Sequence, residues 1–260
     1  MAIISKGGTM TIDSTSKSYY ERPNVVQDYL NDQPWLRPEE EMILKRYEAS
    51  ICGKRVLDIG CGAGRLTIAL KALTQDYIGI DYSEGMIKAC KKKFESLKFV
   101  HCDASDITVF DDESFDFVFF TFNGIDCMSH EKRMKILREI HRILQYDGVF
   151  AFSSHNLDDR RHVTAFNIFD INIFNNIKNI LSYLKTRKHQ IRTETYAILS
   201  DPLDGFGQLT YFIRKPDQVM QLKQNGFGDV EILNCKCQFT ESESAERDSK
   251  WFWYICKKQK

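Results

Sequence analysis

Short apolar runs alternate with amphipathic stretches along most of this chain. Apolar runs predict buried strands at 55–59, 77–80, 98–102, 115–120 and 148–153. The stretches between them that carry apolar residues at helical spacing predict helices at 65–73, 83–93 and 132–144. Strands that alternate with helices at this spacing favour an α/β fold, with a mostly parallel sheet and helices on both faces.

The alternation stops after the fifth strand and resumes later. Apolar residues at helical spacing after residue 156 predict a helical insertion over 157–200, which we expect to cap a ligand pocket. Strands at 209–213, 230–233 and 251–256 and a helix at 216–225 follow. Near the N-terminus, the polar residues 1–18 predict a flexible leader. Residues 19–51 predict a helical segment that covers the cofactor site, and 52–260 form the main domain.

Composition narrows the class of protein. The 260 residues are 43% hydrophobic and 28% charged, which is the balance of a folded globular chain. The 36 basic and 36 acidic side chains cancel, so the chain lacks a global basic field that would attract nucleic acid or anionic lipid. The 8 cysteines form no Cys-x-x-Cys pair, so we expect reduced thiols in a cytoplasmic protein. No apolar run is long enough to span a bilayer.

The most informative stretch is 56–64, where a strand runs into glycines at positions 60, 62 and 64. Glycines let the backbone turn tightly and let a ligand approach the main chain. The dinucleotide fingerprint has its third glycine where this chain has Arg65. Asp58 would repel a pyrophosphate but suits a cation or an amino group. The loop therefore favours a ligand other than a dinucleotide.

Polar side chains also follow the next three strands. Asp81 lies 21 residues after Gly60, at the place where an acid commonly binds ribose hydroxyls. Asp103 follows the third strand, and Asn123 follows the fourth. Because ligands bind at the carboxyl ends of the strands in open α/β sheets, we expect these groups to share one site.

In combination, these segments resemble the class I S-adenosylmethionine-dependent methyltransferases. The segments similar to that family are the acidic glycine loop at 58–64, the ribose-binding segment at 79–86, the segment beside the adenine at 102–104, the fourth strand at 115–120 and the helix, turn and fifth strand at 137–150. Tyr146 and Asp147 replace the usual Pro and Gly of that turn. The likeness covers about 52–156 and 209–257.

The resemblance implies a Rossmann-like, doubly wound, mostly parallel seven-stranded sheet in the order 3-2-1-4-5-7-6, with the last strand antiparallel. It also implies S-adenosyl-L-methionine as the cofactor and S-adenosyl-L-homocysteine as its product. The residues that would bind the cofactor are Tyr20, Asp58, Gly60, Cys61, Gly62, Gly64, Asp81, Tyr82, Met86, Asp103, Ala104, Thr121 and Asn123.

Their expected roles differ along the cofactor. The glycines would pack against its methionine part, and Asp58 would hold the loop or the cofactor's amino group. Asp81 would accept hydrogen bonds from both ribose hydroxyls. Tyr82 and Met86 would enclose the adenine, and Asp103 would accept from the adenine amino group.

His155 is the candidate catalytic residue. It follows the fifth strand, near the expected position of the transferred methyl group, and histidine accepts protons near neutral pH. The alternative is a structural histidine that is hydrogen-bonded at a strand end. Asn123, Asp126 and His130 flank the end of the fourth strand and are further candidates for binding polar groups of the acceptor. No metal site is predicted.

We therefore expect a cytoplasmic methyltransferase acting on an O or N atom of a small molecule, such as a metabolite, sugar or natural product. Neither a nucleic-acid nor a membrane partner is expected, and the apolar residues at 166–184 are interpreted as the packing face of the cap, with a membrane-surface helix as a minor alternative. An RNA or protein methyltransferase is one alternative, although Thr121 and its neighbours replace the Asp/Asn-Pro-Pro-aromatic motif of base-amine methylation. A non-catalytic cofactor-binding partner protein is another, which the intact Asp58, glycine and Asp81 set disfavours. The acceptor and the oligomeric state stay open.

Overall fold

A computed structural model describes residues 11–31, 35–159, 173–201, 206–242 and 246–260 of the chain. The first part of the predicted leader and the apolar residues at 160–172 of the predicted cap lie outside the described residues.

Helices and strands follow one another along the described chain as follows. The N-terminal half contains α1 Ile12–Tyr20, α2 Pro23–Asn31, α3 Pro38–Arg46, α4 Glu48–Ile51, β1 Val56–Ile59, α5 Thr67–Leu73, β2 Tyr77–Asp81, α6 Glu84–Lys93, β3 Lys98–His101, β4 Phe115–Phe120, a 3-10 turn at Gly124–Cys127 and α7 His130–Ile143. The remainder contains β5 Leu144–Asn156, α8 Ile173–Thr186, a 3-10 turn at Arg187–His189, β6 Ile191–Arg192, β7 Tyr196–Ser200, β8 Leu209–Ile213, α9 Lys215–Gln224, β9 Phe227–Asn234, β10 Phe239–Thr240 and β11 Trp251–Lys258.

The central sheet has the strand order β3-β2-β1-β4-β5-β11-β9. Strands β1 to β5 pair in parallel, and β11 runs antiparallel to both β5 and β9. When the seven strands are numbered along the chain, this is the order 3-2-1-4-5-7-6. The structure thus confirms the predicted fold class and brings the carboxyl ends of β1, β2 and β4 side by side.

Four further strands extend this sheet. The end of β5 pairs with β8, which in turn pairs with β7, and β7 pairs with β6, while β10 pairs with β9. The strand predicted at 209–213 therefore lies outside the seven-stranded core. The expected helical insertion also differs at its C-terminal end, where β7 is a strand. Four of its five residues are buried. In a short run that is apolar on both faces, the spacing of hydrophobic residues does not distinguish a strand from a helix.

The core occupies both faces of the sheet. In β4, Val118 and Phe120 pack with α7 on one face, and Phe117 and Phe119 pack with helices α3 to α5 on the other. A central strand of a parallel sheet is covered on both sides, which explains the run of Phe and Val in the sequence. This packing fixes the ends of the strands that carry the polar groups.

Helix α1 begins inside the predicted leader. Thr11 Oγ1 accepts a hydrogen bond from the backbone N of Ser14 at 3.2 Å, and Ser14 Oγ accepts one from the backbone N of Thr11 at 2.9 Å. This capping box uses the Ser and Thr residues whose polarity predicted a loop. Ile12 is buried beside Ile198 and Tyr211. Residues 12–18 are therefore helical and anchored to β7 and β8.

Replacing Leu137 by Ala should lower the free energy of unfolding by about 2–5 kcal/mol, because the substitution leaves a cavity in a fully buried position of α7. Denaturant unfolding measures this loss. Met220→Ala is the matched control, since Met220 is 55% exposed and should change the stability little. Equal losses in the two variants would contradict this account of the core.

Candidate active site

A cavity of about 270 Å³ opens at the carboxyl ends of β1, β2 and β4. Nine of the residues predicted to bind the cofactor line it: Tyr20, Gly60, Cys61, Gly62, Asp81, Tyr82, Met86, Ala104 and Thr121. Asp58, Gly64, Asp103, Asn123 and His155 are not among its lining residues. Most of the cofactor set thus converges on one concave site, as the ends of parallel strands predict.

Asp81 is fixed by the glycine loop and by the start of α6. Its Oδ2 accepts a hydrogen bond from the backbone N of Gly62 at 3.0 Å, and its Oδ1 accepts one from the backbone N of Ser83 at 2.8 Å. Burial raises the pKa of Asp81, and these two hydrogen bonds oppose that effect. Because a carboxylate oxygen accepts more than one hydrogen bond, Asp81 retains acceptor capacity at the cavity wall. That capacity fits the pair of ribose hydroxyls expected there.

Gly64 shapes the loop from behind the cavity wall. Its φ is +84°, and a Cβ at this position would collide with the ring of Phe94. A side chain there would be strained both by the backbone conformation and by the ring. Gly64 therefore serves the packing of the loop, and its predicted contact with the cofactor stays a prediction.

Asp58 lies behind the loop in a dry environment. Its Oδ2 accepts a hydrogen bond from the hydroxyl of Tyr77 at 3.0 Å. Burial raises the pKa of Asp58 to about 7, while the bond from Tyr77 and the charge of Arg65 act against the rise. Within the described residues, Oδ1 has no hydrogen-bond partner. A buried acceptor left without a donor fits the cationic amino group that the cofactor carries.

Asp103 is engaged away from the cavity. Its Oδ2 accepts from Lys132 Nζ at 2.7 Å, and its Oδ1 accepts from Ser105 at 2.9 Å to the backbone N and 2.8 Å to Oγ. Burial opposes ionisation, but these donors hold the pKa of Asp103 below its usual value. The predicted contact with the adenine amino group is untested, whereas the neighbouring Ala104 does line the cavity.

Helices α1 and α2 cover the cavity. The hydroxyl of Tyr82 donates to the backbone O of Ser16 at 3.1 Å, and Ser83 Oγ donates to the backbone O of Tyr20 at 3.2 Å. The ring of Tyr20 meets those of Tyr29 and Tyr82 edge-on, with centroids 6.2 and 6.3 Å apart. The N-terminal region thus supplies part of the wall, including Tyr29, which the sequence did not identify.

Arg65, Trp35 and Phe122 line another part of the cavity, and Arg37 and Trp251 pack behind them. Arg65 donates to both carboxylate oxygens of the buried Glu40, each at 2.6 Å. The guanidinium of Arg37 lies 4.4 Å from the ring centroids of both Phe122 and Trp251, a cation–π arrangement. The pairing of Arg65 with Glu40, 25 residues apart in the chain, leaves no local signal in the sequence.

His155 belongs to a buried network at the end of β5. Its Nδ1 lies 2.8 Å from Asp126 Oδ2, which also accepts the backbone N–H of His155 at 2.7 Å. Asp126 is fully buried and pairs with Arg133 at 2.6 Å. A carboxylate only accepts, so Nδ1 carries the proton and Nε2 is the acceptor, 3.1 Å from Asn123 Nδ2. The Asp126 carboxylate thus selects the tautomer.

This network lies one residue behind the cavity wall. Asn123 does not line the cavity, but both its neighbours, Phe122 and Gly124, do. Asn123 has a φ of +55°, and its backbone N donates to Ser153 Oγ at 2.8 Å. The structure therefore brings Asn123, Asp126 and His155 together beside the site.

His130 lies apart from this group. Its Nδ1 is 2.9 Å from the hydroxyl of Tyr211, and its ring stacks on that of Tyr196 at 4.4 Å between centroids. Burial lowers the pKa of His130. The structure assigns this candidate contacts within the fold rather than a place in the cavity wall.

Comparison with known proteins agrees with this geometry. A family described as a methyltransferase domain matches residues 56–148. A demethylmenaquinone methyltransferase from Clavibacter sepedonicus is 33% identical over 134 residues, which cover 50% of this chain and 51% of the relative. The chain thus matches about half the length of this relative.

Two solved structures show the same fold. The CcbJ methyltransferase from Streptomyces caelestis has a TM-score of 0.61 and 15% identity, covering 93% of this chain and 98% of its own. The Phospholethanolamine N-methyltransferase 2 from Haemonchus contortus, in complex with phosphomonomethylethanolamine and S-adenosylhomocysteine, has a TM-score of 0.62 and 17% identity, covering 97% and 61%.

The family match over residues 56–148, together with the shared fold, supports the class I S-adenosylmethionine-dependent methyltransferases as the family of this chain. This confirms the predicted family and S-adenosylmethionine as the cofactor. Within the part of the chain that the structure describes, no group of three or more His, Cys, Asp or Glu side chains could hold a metal ion. The described helices include none that is long and apolar enough to cross a membrane.

Asp81→Ala should weaken the binding of S-adenosylhomocysteine at least about tenfold, because hydrogen bonds to a charged acceptor contribute about 1.5–3 kcal/mol each. Isothermal calorimetry measures the affinity. Asp76→Ala is the matched control, since Asp76 is an exposed carboxylate just before the other end of β2. Unchanged affinity in a folded Asp81→Ala variant would refute the assignment of this cavity to the cofactor.

The titration of Asp58 should lower the free energy of unfolding of the protein as the pH rises from about 4 to about 7. Its pKa is raised from an ordinary 3.8 to about 7 on folding, so over this range the folded state holds a proton that the unfolded state has lost. Denaturant unfolding at several pH values should give a shallower decline for Asp58→Asn than for the wild type. The exposed Asp76→Asn serves as control, and an unchanged decline in Asp58→Asn would contradict the assignment.

Proposed function

We propose that this protein transfers the methyl group of S-adenosylmethionine to an oxygen or nitrogen atom of a small-molecule acceptor. The observation that carries the proposal is the covered cavity at the strand ends, with Asp81 in its wall. The pair of His155 with the buried Asp126, next to that wall, supports a proton-accepting group beside the methyl acceptor.

A small acceptor is favoured by the covering of the site. Helices α1 and α2 contribute Tyr20 and Tyr29 to the wall, so a macromolecular surface would have to displace them to reach the cavity. The C. sepedonicus and H. contortus proteins are named for small molecules or bound to them, a demethylmenaquinone and phosphomonomethylethanolamine. The zero net charge further disfavours RNA as the acceptor.

The cofactor would be held by the glycine loop, by Asp81 and by the apolar side chains of Tyr82 and Met86, all of which line the cavity. When bound, S-adenosylmethionine supplies a methyl group that is already activated on a sulfonium, so the protein has chiefly to align the acceptor atom. Exclusion of water by the covering helices would keep that alignment free of competing hydrolysis.

If the methyl group is transferred to a hydroxyl, His155 would act as the general base that takes up the hydroxyl proton. Its Nε2 is the unprotonated ring nitrogen, and Asp126 at Nδ1 would stabilise the positive ring that forms once the proton is taken up. Asn123 Nδ2 donates to this nitrogen, so the acceptor hydroxyl would have to replace Asn123 there. Asn123 Oδ1 has no partner among the described residues and would accept from the same acceptor group.

An amine acceptor that arrives neutral needs no base. In that case Asn123 and His155 would orient the amine by hydrogen bonds, and the two chemistries differ in how strongly the rate depends on His155. Kinetics of a His155 variant therefore separate them.

His155→Ala should leave the affinity for S-adenosylhomocysteine intact and lower turnover by about 10²–10⁴, the usual contribution of general base catalysis. His155→Gln, which keeps a polar shape but cannot take up the proton, should be nearly as slow. The acceptor is first identified by incorporation of labelled methyl into metabolite fractions. His189→Ala, on the 3-10 turn after α8, is the matched control and should retain wild-type turnover.

The same assay distinguishes an amine acceptor, a purely structural role of His155 and a macromolecular substrate. A larger loss of acceptor affinity than of rate in His155→Ala indicates an amine that is only positioned. Full turnover in His155→Ala would return the residue to a structural role. Label appearing only in RNA or protein fractions, or in none, would overturn the small-molecule proposal.

A further inference from the structure

Helix α8 exposes an apolar stripe to solvent. Ile177, Ile180, Leu181 and Leu184 are 51%, 44%, 62% and 48% exposed. Their spacing of i, i+3, i+4 and i+7 places all four side chains on one face of the helix. Such a continuous exposed stripe marks an interaction surface, in contrast to single exposed apolar residues.

The opposite face of α8 is the one that contacts the protein. Thr186 lies about 200° around the helix from Leu184 and is buried. Its Oγ1 lies 2.6 Å from Ser200 Oγ and donates to the backbone O of Phe206. The ring of Tyr183, on the same side as Thr186, meets that of Phe206 edge-on. Polar contacts therefore attach the helix to the fold, and the apolar face is left outward.

The charged residues within 171–193, the stretch that contains this stripe, are all cations. The stretch 171–193 contains no Asp or Glu in a chain that has 36 of them. It contains five Lys and Arg residues: Lys178, Lys185, Arg187, Lys188 and Arg192. Lys178 and Lys185 each follow a stripe residue by one position, so both lie along the same edge of the stripe.

We propose that the outward face of α8 binds the surface of an anionic lipid bilayer. Apolar side chains would enter the interface between headgroups and acyl chains, and the lysines at the edge would reach the phosphates with their ammonium groups. The 14 residues of α8 are too few to span a bilayer, so the helix lies along the surface. The zero net charge of the whole chain predicted no such partner, because it conceals this local concentration of cations.

A second copy of this chain fits the same face less well. In a two-fold pairing of the stripe, the cations of one α8 would approach those of the other, and 171–193 offers no carboxylate to neutralise them. An anionic surface satisfies both the apolar stripe and the cations at once.

Cosedimentation with vesicles tests the proposal on the full chain. We expect binding to phosphatidylcholine vesicles that contain about 30% phosphatidylglycerol, much weaker binding to phosphatidylcholine alone, and a decrease with salt. Lys185→Gln/Lys188→Gln should lower the partition coefficient about thirty-fold, at a factor of about five for each cation near the surface. Leu181→Ser/Leu184→Ser should lower it at least about tenfold.

Matched variants elsewhere on the surface serve as controls. Lys91→Gln/Lys92→Gln removes two exposed cations from α6, and Val109→Ser removes an apolar side chain that is 62% exposed. Both should bind vesicles as the wild type does, and the affinity for S-adenosylhomocysteine verifies that every variant folds.

Three results would overturn the proposal. The first is an absence of binding to anionic vesicles, and the second is binding that the α8 variants leave unchanged. The third is a dimer in light scattering that Leu181→Ser/Leu184→Ser dissociates, since it would assign the face to a second copy.

Discussion

The ion pair between Asp126 and Arg133 holds together the elements on which the acceptor side of this protein depends. Both side chains are fully buried, and their closest atoms are 2.6 Å apart. The pair joins the turn after β4 to α7, and Ser154 Oγ donates to the same carboxylate at 2.7 Å, which adds β5. Arg133 also donates to Gln218 of α9. An unpaired charge in this position would cost about 3–5 kcal/mol, so these four elements keep one arrangement.

The buried carboxylates of the site illustrate two different electrostatic solutions. Asp126 has a buried cation and three further donor atoms, so its charge is neutralised within the fold. Asp58 accepts from one hydroxyl and forms no ion pair of its own within the described residues, and burial raises its pKa to about 7. The first arrangement fixes a histidine tautomer, and the second leaves an oxygen without a donor beside the glycine loop. One carboxylate therefore organises protein, and the other is suited to a cationic ligand.

The sequence predicted the features that a short local motif encodes and those that follow from the topology of a parallel sheet. The glycine loop and Asp81 were identified because their spacing is local, and the sheet topology then brings strand ends together. The contacts between distant segments had no such signal. Arg65 meets Glu40, and His155 meets Asp126, only after the helices and strands have packed. Helix α1 and strand β7 were missed because a capping box resembles a polar loop and a buried strand has no visible period.

Helix α1 connects the two sides of the site. At one end it meets the cofactor cavity through Tyr20, and at the other Ile12 packs on β7 and β8. Asp13 Oδ1 also accepts the backbone N–H of Ser129, at the start of α7, at 3.0 Å. A shift of α1 would therefore disturb both the cavity wall at Tyr20 and strand β8, which pairs with β5 at His155. The cavity wall and the strands around His155 are thus mechanically coupled through one short helix, so a displacement on one side is transmitted to the other.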